Sequence, residues 1–169
     1  MSFFWRELVL SIEELHHDYL LMSKINTPIV RKCRLLTELL AETENPWRVI
    51  GITKSALKVF EGDEFNRKPR MRINRAHLVD RLGTYSHLFE NVCSDPDEWW
   101  SYYYERDTTV LSTSSENMSN ALSDVIWFSE FPSYNEEDCL FKSSGFSWSY
   151  RKKKEKPFLQ ELSSWHGKR

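Results

Sequence analysis

The sequence predicts an α+β protein, helical in its N-terminal third, with a small number of short strands after residue 70. Three observations predict this. Apolar residues recur at steps of three and four through residues 2–42, the signature of amphipathic helices. Alternating or β-branched stretches appear only later, at 71–76 and 108–113. A chain of 169 residues, 40% apolar and 28% charged, has a globular balance; it is long enough for one core and short for two. We therefore read residues 1–169 as a single domain. Residues 1–62 are its helical region. Residues 63–127 carry the strands and an inserted aromatic helix, and 128–169 form an irregular region ending in a basic tail.

The first helix runs from Ser2 to about Ser23, with Phe4, Leu8, Ile12, Leu15 and Tyr19 on one face. Asn26-Thr27-Pro28 breaks it. Thr27 is a good N-cap and Pro28 fits the first helical position, so a second helix follows from Pro28 to Glu42. Two consecutive amphipathic helices with a short turn predict an antiparallel pair. Trp47 to Ile52 reads as a short strand or an extended connector. Lys54 to Glu61 reads as a helix with Ala56, Leu57 and Phe60 inward and Gly62 as its stop.

Met71, Ile73 and Arg75 alternate with Arg72, Asn74 and Ala76, which predicts a short strand ending near His77. Arg81 to Glu90 reads as a helix. Ser94 or Asp95 caps the next one, with Pro96 in its first turn and Trp99, Trp100, Tyr102, Tyr103 and Tyr104 along it. Thr108 to Thr113 is the clearest strand signal. Ser114 or Ser115 then caps a helix from near Glu116, carrying Met118, Ala121, Leu122 and Val125. Periodicity fades after Phe128, until a short amphipathic tail with Phe158, Leu159, Leu162 and Trp165.

Composition narrows the function classes. With five glycines, neither a dinucleotide nor a nucleoside-triphosphate phosphate loop is present, and there is no Gly-x-Ser-x-Gly elbow. Cys33, Cys93 and Cys139 have neither metal-ligand nor redox spacing and read as reduced thiols. The N-terminal stretch carries early acidic residues and has the pattern of neither a signal peptide nor a membrane span. A cytoplasmic protein without a membrane partner is the expectation. The net charge of −2 hides segregation: basic residues gather at 67–81 and 151–156, acidic ones at 95–98 and 136–138. Separated patches let a near-neutral protein hold a polyanion on one face.

His16-His17-Asp18 is one candidate cluster, but neighbours on a helix point about 100° apart and rarely share a ligand. His77 is the stronger candidate. It ends the strand Ile73-Asn74-Arg75-Ala76-His77, and a second strand, Val110-Leu111-Ser112-Thr113, runs into a helix bearing Glu116, Asn117 and Asn120. This layout resembles the ββα-metal endonuclease superfamily, which includes the HNH nucleases. The resemblance implies a general base at His77 and a divalent-cation ligand at Asn117, with Asn120 and Asp124 as supplementary ligands. Ala76 departs from the pattern, standing where several members carry a ligand.

The implied chemistry is coherent. A neutral imidazole with a pKa of about 6.5 takes a proton from water at physiological pH. Mg²⁺ or another hard divalent cation takes oxygen ligands from amides and carboxylates. Arg72, Arg75 and Arg81 are placed in sequence to grip the phosphate.

Two further features favour a nucleic-acid partner, DNA in the first place. Arg67, Lys68, Arg70, Arg151, Lys152, Lys153 and Lys154 are phosphate-binding candidates. On the aromatic helix, Trp99/Tyr103 and Trp100/Tyr104 are two i,i+4 pairs, one for the core and the other, Trp100 with Tyr104, for stacking on bases. The leading expectation is a nucleic-acid-binding protein that cleaves phosphodiesters with a metal, as in a small prokaryotic or phage endonuclease. The alternatives are a non-catalytic nucleic-acid-binding module, and a protein-interaction domain of immunity or inhibitor type that uses the aromatic or acidic surfaces.

Overall fold

The computed structural model describes residues 10–41, 47–66, 68, 71–119, 122, 124–135, 140, 141, 150 and 153–168. In chain order the elements are α1 (Ile12–Lys24), α2 (Ile29–Ala41), β1 (Arg48–Thr53), α3 (Lys54–Gly62), β2 (Ile73–His77), α4 (Arg81–Glu90), α5 (Pro96–Arg106), β3 (Thr108–Thr113), α6 (Ser114–Ser119), β4 (Val125–Trp127) and α7 (Glu155–His166), with one 3₁₀ turn at Phe128–Glu130. The fold is α+β. The described residues divide into two compact units that interleave along the chain. One holds those before Pro46 and in Val79–Asp107; the other holds those in Trp47–Leu78, Thr108–Lys142 and Trp148–Arg169.

The first unit is helical. Its core is Leu15 and Tyr19 of α1, Cys33, Leu36 and Leu40 of α2, Tyr85, Leu88 and Phe89 of α4, and Trp99 and Tyr103 of α5. Inside this core the Tyr19 hydroxyl donates to the Leu88 carbonyl at 2.5 Å, so the buried phenol keeps a partner. α1 starts at Ile12 behind the cap Ser11, so it is not continuous with a helix from Ser2. Ser11 Oγ accepts from Glu14 N at 3.2 Å and Ser11 N donates to Glu14 Oε2 at 2.8 Å, a closed capping box on an extended Ser11. Apolar periodicity runs through this cap and so overshoots it; Phe4 and Leu8 lie outside the described residues. Asp80 and Asp95 cap α4 and α5, which begin where the sequence predicts.

The second unit is built on a four-stranded sheet of order β2-β3-β1-β4. β1 and β3 are parallel, while β2 and β4 run antiparallel to their neighbours. The central strands are buried almost along their length, as strands covered on both faces are. Val49, Ile52, Leu57, Phe60, Ile73, Leu111, Ile126, Phe128, Leu159 and Leu162 are among the residues of the core. A side chain at Gly51 would meet β4: a Cβ there lies 3.0 Å from the Ile126 carbonyl oxygen and 3.0 Å from Val125 Cγ1. The tail becomes α7, which packs on α3.

A second element departs from the sequence expectation. The helix after β3 is only Ser114–Ser119, and Val125 belongs to β4. Thr53, Ile52 and Gly51 of β1 pair with Val125, Ile126 and Trp127. The residue before them, Asp124, has φ 53°, a left-handed conformation that ends helical geometry. Asp124 is therefore not on the helix of Asn117.

Candidate nucleic-acid interface

β2 sits at one side of the sheet and presents the basic candidates. Its register with β3 is Ile73↔Thr113, Asn74↔Ser112, Arg75↔Leu111, Ala76↔Val110 and His77↔Thr109. Ile73, Arg75 and His77 share one face by strand alternation. Ile73 enters the core. Arg75 and His77 cover Trp47: the guanidinium carbon lies 4.2 Å from the indole centroid, and the imidazole stands edge-on at 5.7 Å. Trp47 is buried beneath them. Thr109 Oγ1 reaches the carbonyls of Trp47 at 3.2 Å and Arg48 at 3.0 Å, which fixes the backbone under the indole. Arg75 thus has a packing role of the cation–π kind as well as a charge.

The opposite end of β2 meets α6. Arg72 is exposed, and its carbonyl accepts from Ser114 N at 2.8 Å and Ser114 Oγ at 3.2 Å. Asn74 Nδ2 donates to Ser114 Oγ at 3.2 Å. Next to this lies Glu116, which the sequence reasoning did not single out. Its Oε2 accepts from Thr53 Oγ1 at 2.9 Å, Thr113 N at 2.9 Å and Thr113 Oγ1 at 2.8 Å. Burial pushes this carboxyl up, but donors from Thr113, Thr53 and Ser55 prevail and hold it below the usual carboxylate value. Thr53 ends β1 and Thr113 ends β3, so one carboxylate ties the ends of the two parallel strands. The sequence signal was Thr113-Ser114-Ser115-Glu116, a capping-box pattern.

The structure distributes the implied metal centre. His77 stands opposite Thr109, whereas α6 begins after Thr113, four residues or about 13 Å further along β3. His77 and Asn117 are thus held toward different ends of β3, and the residues brought to α6 are Arg72 and Asn74. Asn117 is exposed. Asp124 faces Lys54, at 3.9 Å. Asn120 lies outside the described residues. Among the described residues, no group of three or more His, Cys, Asp or Glu side chains is placed to hold a metal ion.

The end of the second basic segment is tied beside the start of the first. Lys156 Nζ donates to Asn66 Oδ1 at 3.0 Å across 90 positions of sequence. The Tyr150 hydroxyl donates to the Phe65 carbonyl, and its ring stacks on Phe60 at 5.8 Å. These bonds hold the start of α7 against the segment that opens the first basic run. Lys153 is exposed and Lys154 half-buried just before α7. Lys68 forms an ion pair with Asp63, which offsets part of its charge. Arg67, Arg70, Arg151 and Lys152 lie outside the described residues.

The remaining candidates belong to the helical unit. Arg81 is half-buried at the start of α4. On α5, Trp99 and Tyr103 are buried, while Trp100 and Tyr104 stack at 5.8 Å on a half-exposed face. His16 is 5% exposed, with Nε2 bonded to the Cys93 carbonyl at 3.0 Å, which is a packing role. No described helix is long and apolar enough to cross a membrane. No protein-family model, curated protein or solved structure matches the chain.

Proposed function

We propose that the protein binds nucleic acid through the basic surface of its sheet-bearing unit. The observation that carries this reading is the Lys156–Asn66 bond, which ties the end of one basic segment to the residue that precedes the other, in a chain whose net charge is −2. An amide partner leaves the ammonium charge of Lys156 intact. Arg72, Lys153 and Lys154 add cations with exposed or half-exposed side chains on the same unit. A set of this kind neutralises phosphates without reading sequence, so binding is salt-sensitive and tolerant of base composition.

The reading stops at binding. Cleavage with His77 as base and a Mg²⁺ ion at Asn117 draws no support from the β2–β3 register, which sets these residues toward different ends of β3. Anisotropy of a fluorescent DNA duplex at about 50 mM salt tests the proposal. The native chain binds, and Lys153→Glu with Lys154→Glu weakens binding at least about tenfold without loss of helicity. Unchanged affinity in that double variant contradicts the proposal. A nicking assay with Mg²⁺ separates the two nucleic-acid readings. DNA left intact fits a binding module; nicking lost in chelator and in His77→Ala would establish the nuclease.

A further inference from the structure

The helical unit holds a pocket that the basic surface does not use. Its volume is 460 Å³, and it lies between the end of α4, the 91–94 connection and α5. The chemistry of its lining is specific. Glu98 is exposed, and its carboxylate accepts only from the Cys93 thiol at 3.5 Å among the described residues. Asn91 Nδ2, which can only donate, lies 3.2 Å from His87 Nδ1. That contact occupies Nδ1 and leaves Nε2 as the ring's other polar atom. The His87 ring is itself stacked on Tyr102, with centroids 4.8 Å apart and planes 19° from parallel. Arg106 covers the Tyr102 ring at 3.7 Å, so the stack is already two groups deep behind the imidazole. Leu88 and Trp99 are buried walls.

Among the described residues no lysine or arginine lines this pocket, and the one carboxylate that does disfavours a phosphate. What it offers is a planar stacking ring with a second ring nitrogen, and a carboxylate that can accept two parallel N–H bonds. Among the nucleobases, guanine alone presents two adjacent N–H donors on one edge, N1–H and N2–H, with O6 and N7 as acceptors beside them. We infer that this pocket binds a guanine base, its N1–H and N2–H on Glu98 and its ring against His87. The volume accommodates a nucleoside. A nucleoside carries no phosphate, so this inference stands apart from the basic surface of the other unit and does not depend on it.

The test titrates guanosine, adenosine, cytidine and argininamide into the isotopically labelled full chain, reading backbone amide shifts by NMR. Guanosine gives saturable shifts at residues 87–102, at least about tenfold tighter than adenosine or cytidine. Glu98→Gln places an amide donor against the donor edge and weakens guanosine at least about tenfold. His87→Ala weakens it while leaving the helical core resonances in place. Three results overturn the inference: no saturable shift with guanosine, equal affinity for adenosine, or guanosine binding unaltered by Glu98→Gln. Binding of argininamide without guanosine also overturns it, because the carboxylate would then select a guanidinium cation. DNA binding through Lys153 and Lys154 is unaffected by Glu98→Gln, so failure here is distinguishable from failure of the nucleic-acid reading.

Discussion

Glu116 is the side chain on which the ends of β1 and β3 depend, because Thr53 and both donor groups of Thr113 converge on one of its oxygens. Its folded-state pKa lies below the ordinary carboxylate value. The stability it contributes is therefore present above the unfolded pKa, about 4.3, and is lost as pH falls through the lower folded value. Glu116→Gln should cost about 1–2 kcal/mol at neutral pH by urea unfolding. The difference from the native chain should shrink as the pH is lowered below about 4. A constant difference across that range would show that the charge is not what matters. Tyr150 carries the opposite sign. Burial, with the nearby Glu155 charge, pushes its phenol up to about 12. Its contribution is complete below the unfolded value, about 10, and disappears as pH rises through the folded one. Tyr150→Phe should therefore flatten the alkaline limb of the stability curve, which spectrophotometric titration at the tyrosinate band can follow alongside.

The elements differ in how openly the sequence announced them. α4 and β3 were legible in their bounds and α5 in its start, because the apolar spacing of Leu82, Tyr85, Leu88 and Phe89, the Ser94-Asp95-Pro96 entry and the β-branched run Thr108–Val110 are local signals that depend on nothing distant. β1 was ambiguous. A central strand buried on both faces has no alternation, and Gly51 weakens its strand signal for a reason found only in three dimensions, the close approach of β4. α6 was overextended because Ala121, Leu122 and Val125 keep helical spacing, yet Val125 is taken by pairing with Thr53. Tertiary pairing overrode a local pattern. The role of Gly51 gives a sharp prediction at this scale. Gly51→Ala drives a methyl group into the Ile126 carbonyl and Val125, so it should destabilise the protein by about 1–3 kcal/mol. A neutral effect in thermal or urea unfolding would mean that β4 moves aside freely. Asp95→Ala, which removes the α5 cap, should cost about 1 kcal/mol.

At the scale of the molecule, the chain folds as two interleaved compact units, each with its own core cluster. Sequence order hides this, since the strands and the aromatic helix alternate along the same stretch of chain. The same interleaving explains how much of the site was readable. The charge of both basic segments was visible in composition. The tie between them was not, because Lys156 and Asn66 are brought together only by the packing of α7 on α3. The separation of His77 from Asn117 was equally hidden, since it follows from the β2–β3 register.

The central claim is that the cations of the sheet-bearing unit bind phosphates, and the slope of log affinity against log salt concentration measures it most directly. Duplex DNA binding should weaken steeply between about 50 and 200 mM salt. Replacing Lys153 and Lys154 by Ala should reduce the slope by about one for each lysine removed. A slope identical in the native chain and the double variant, or no binding at the low end of that range, would contradict it.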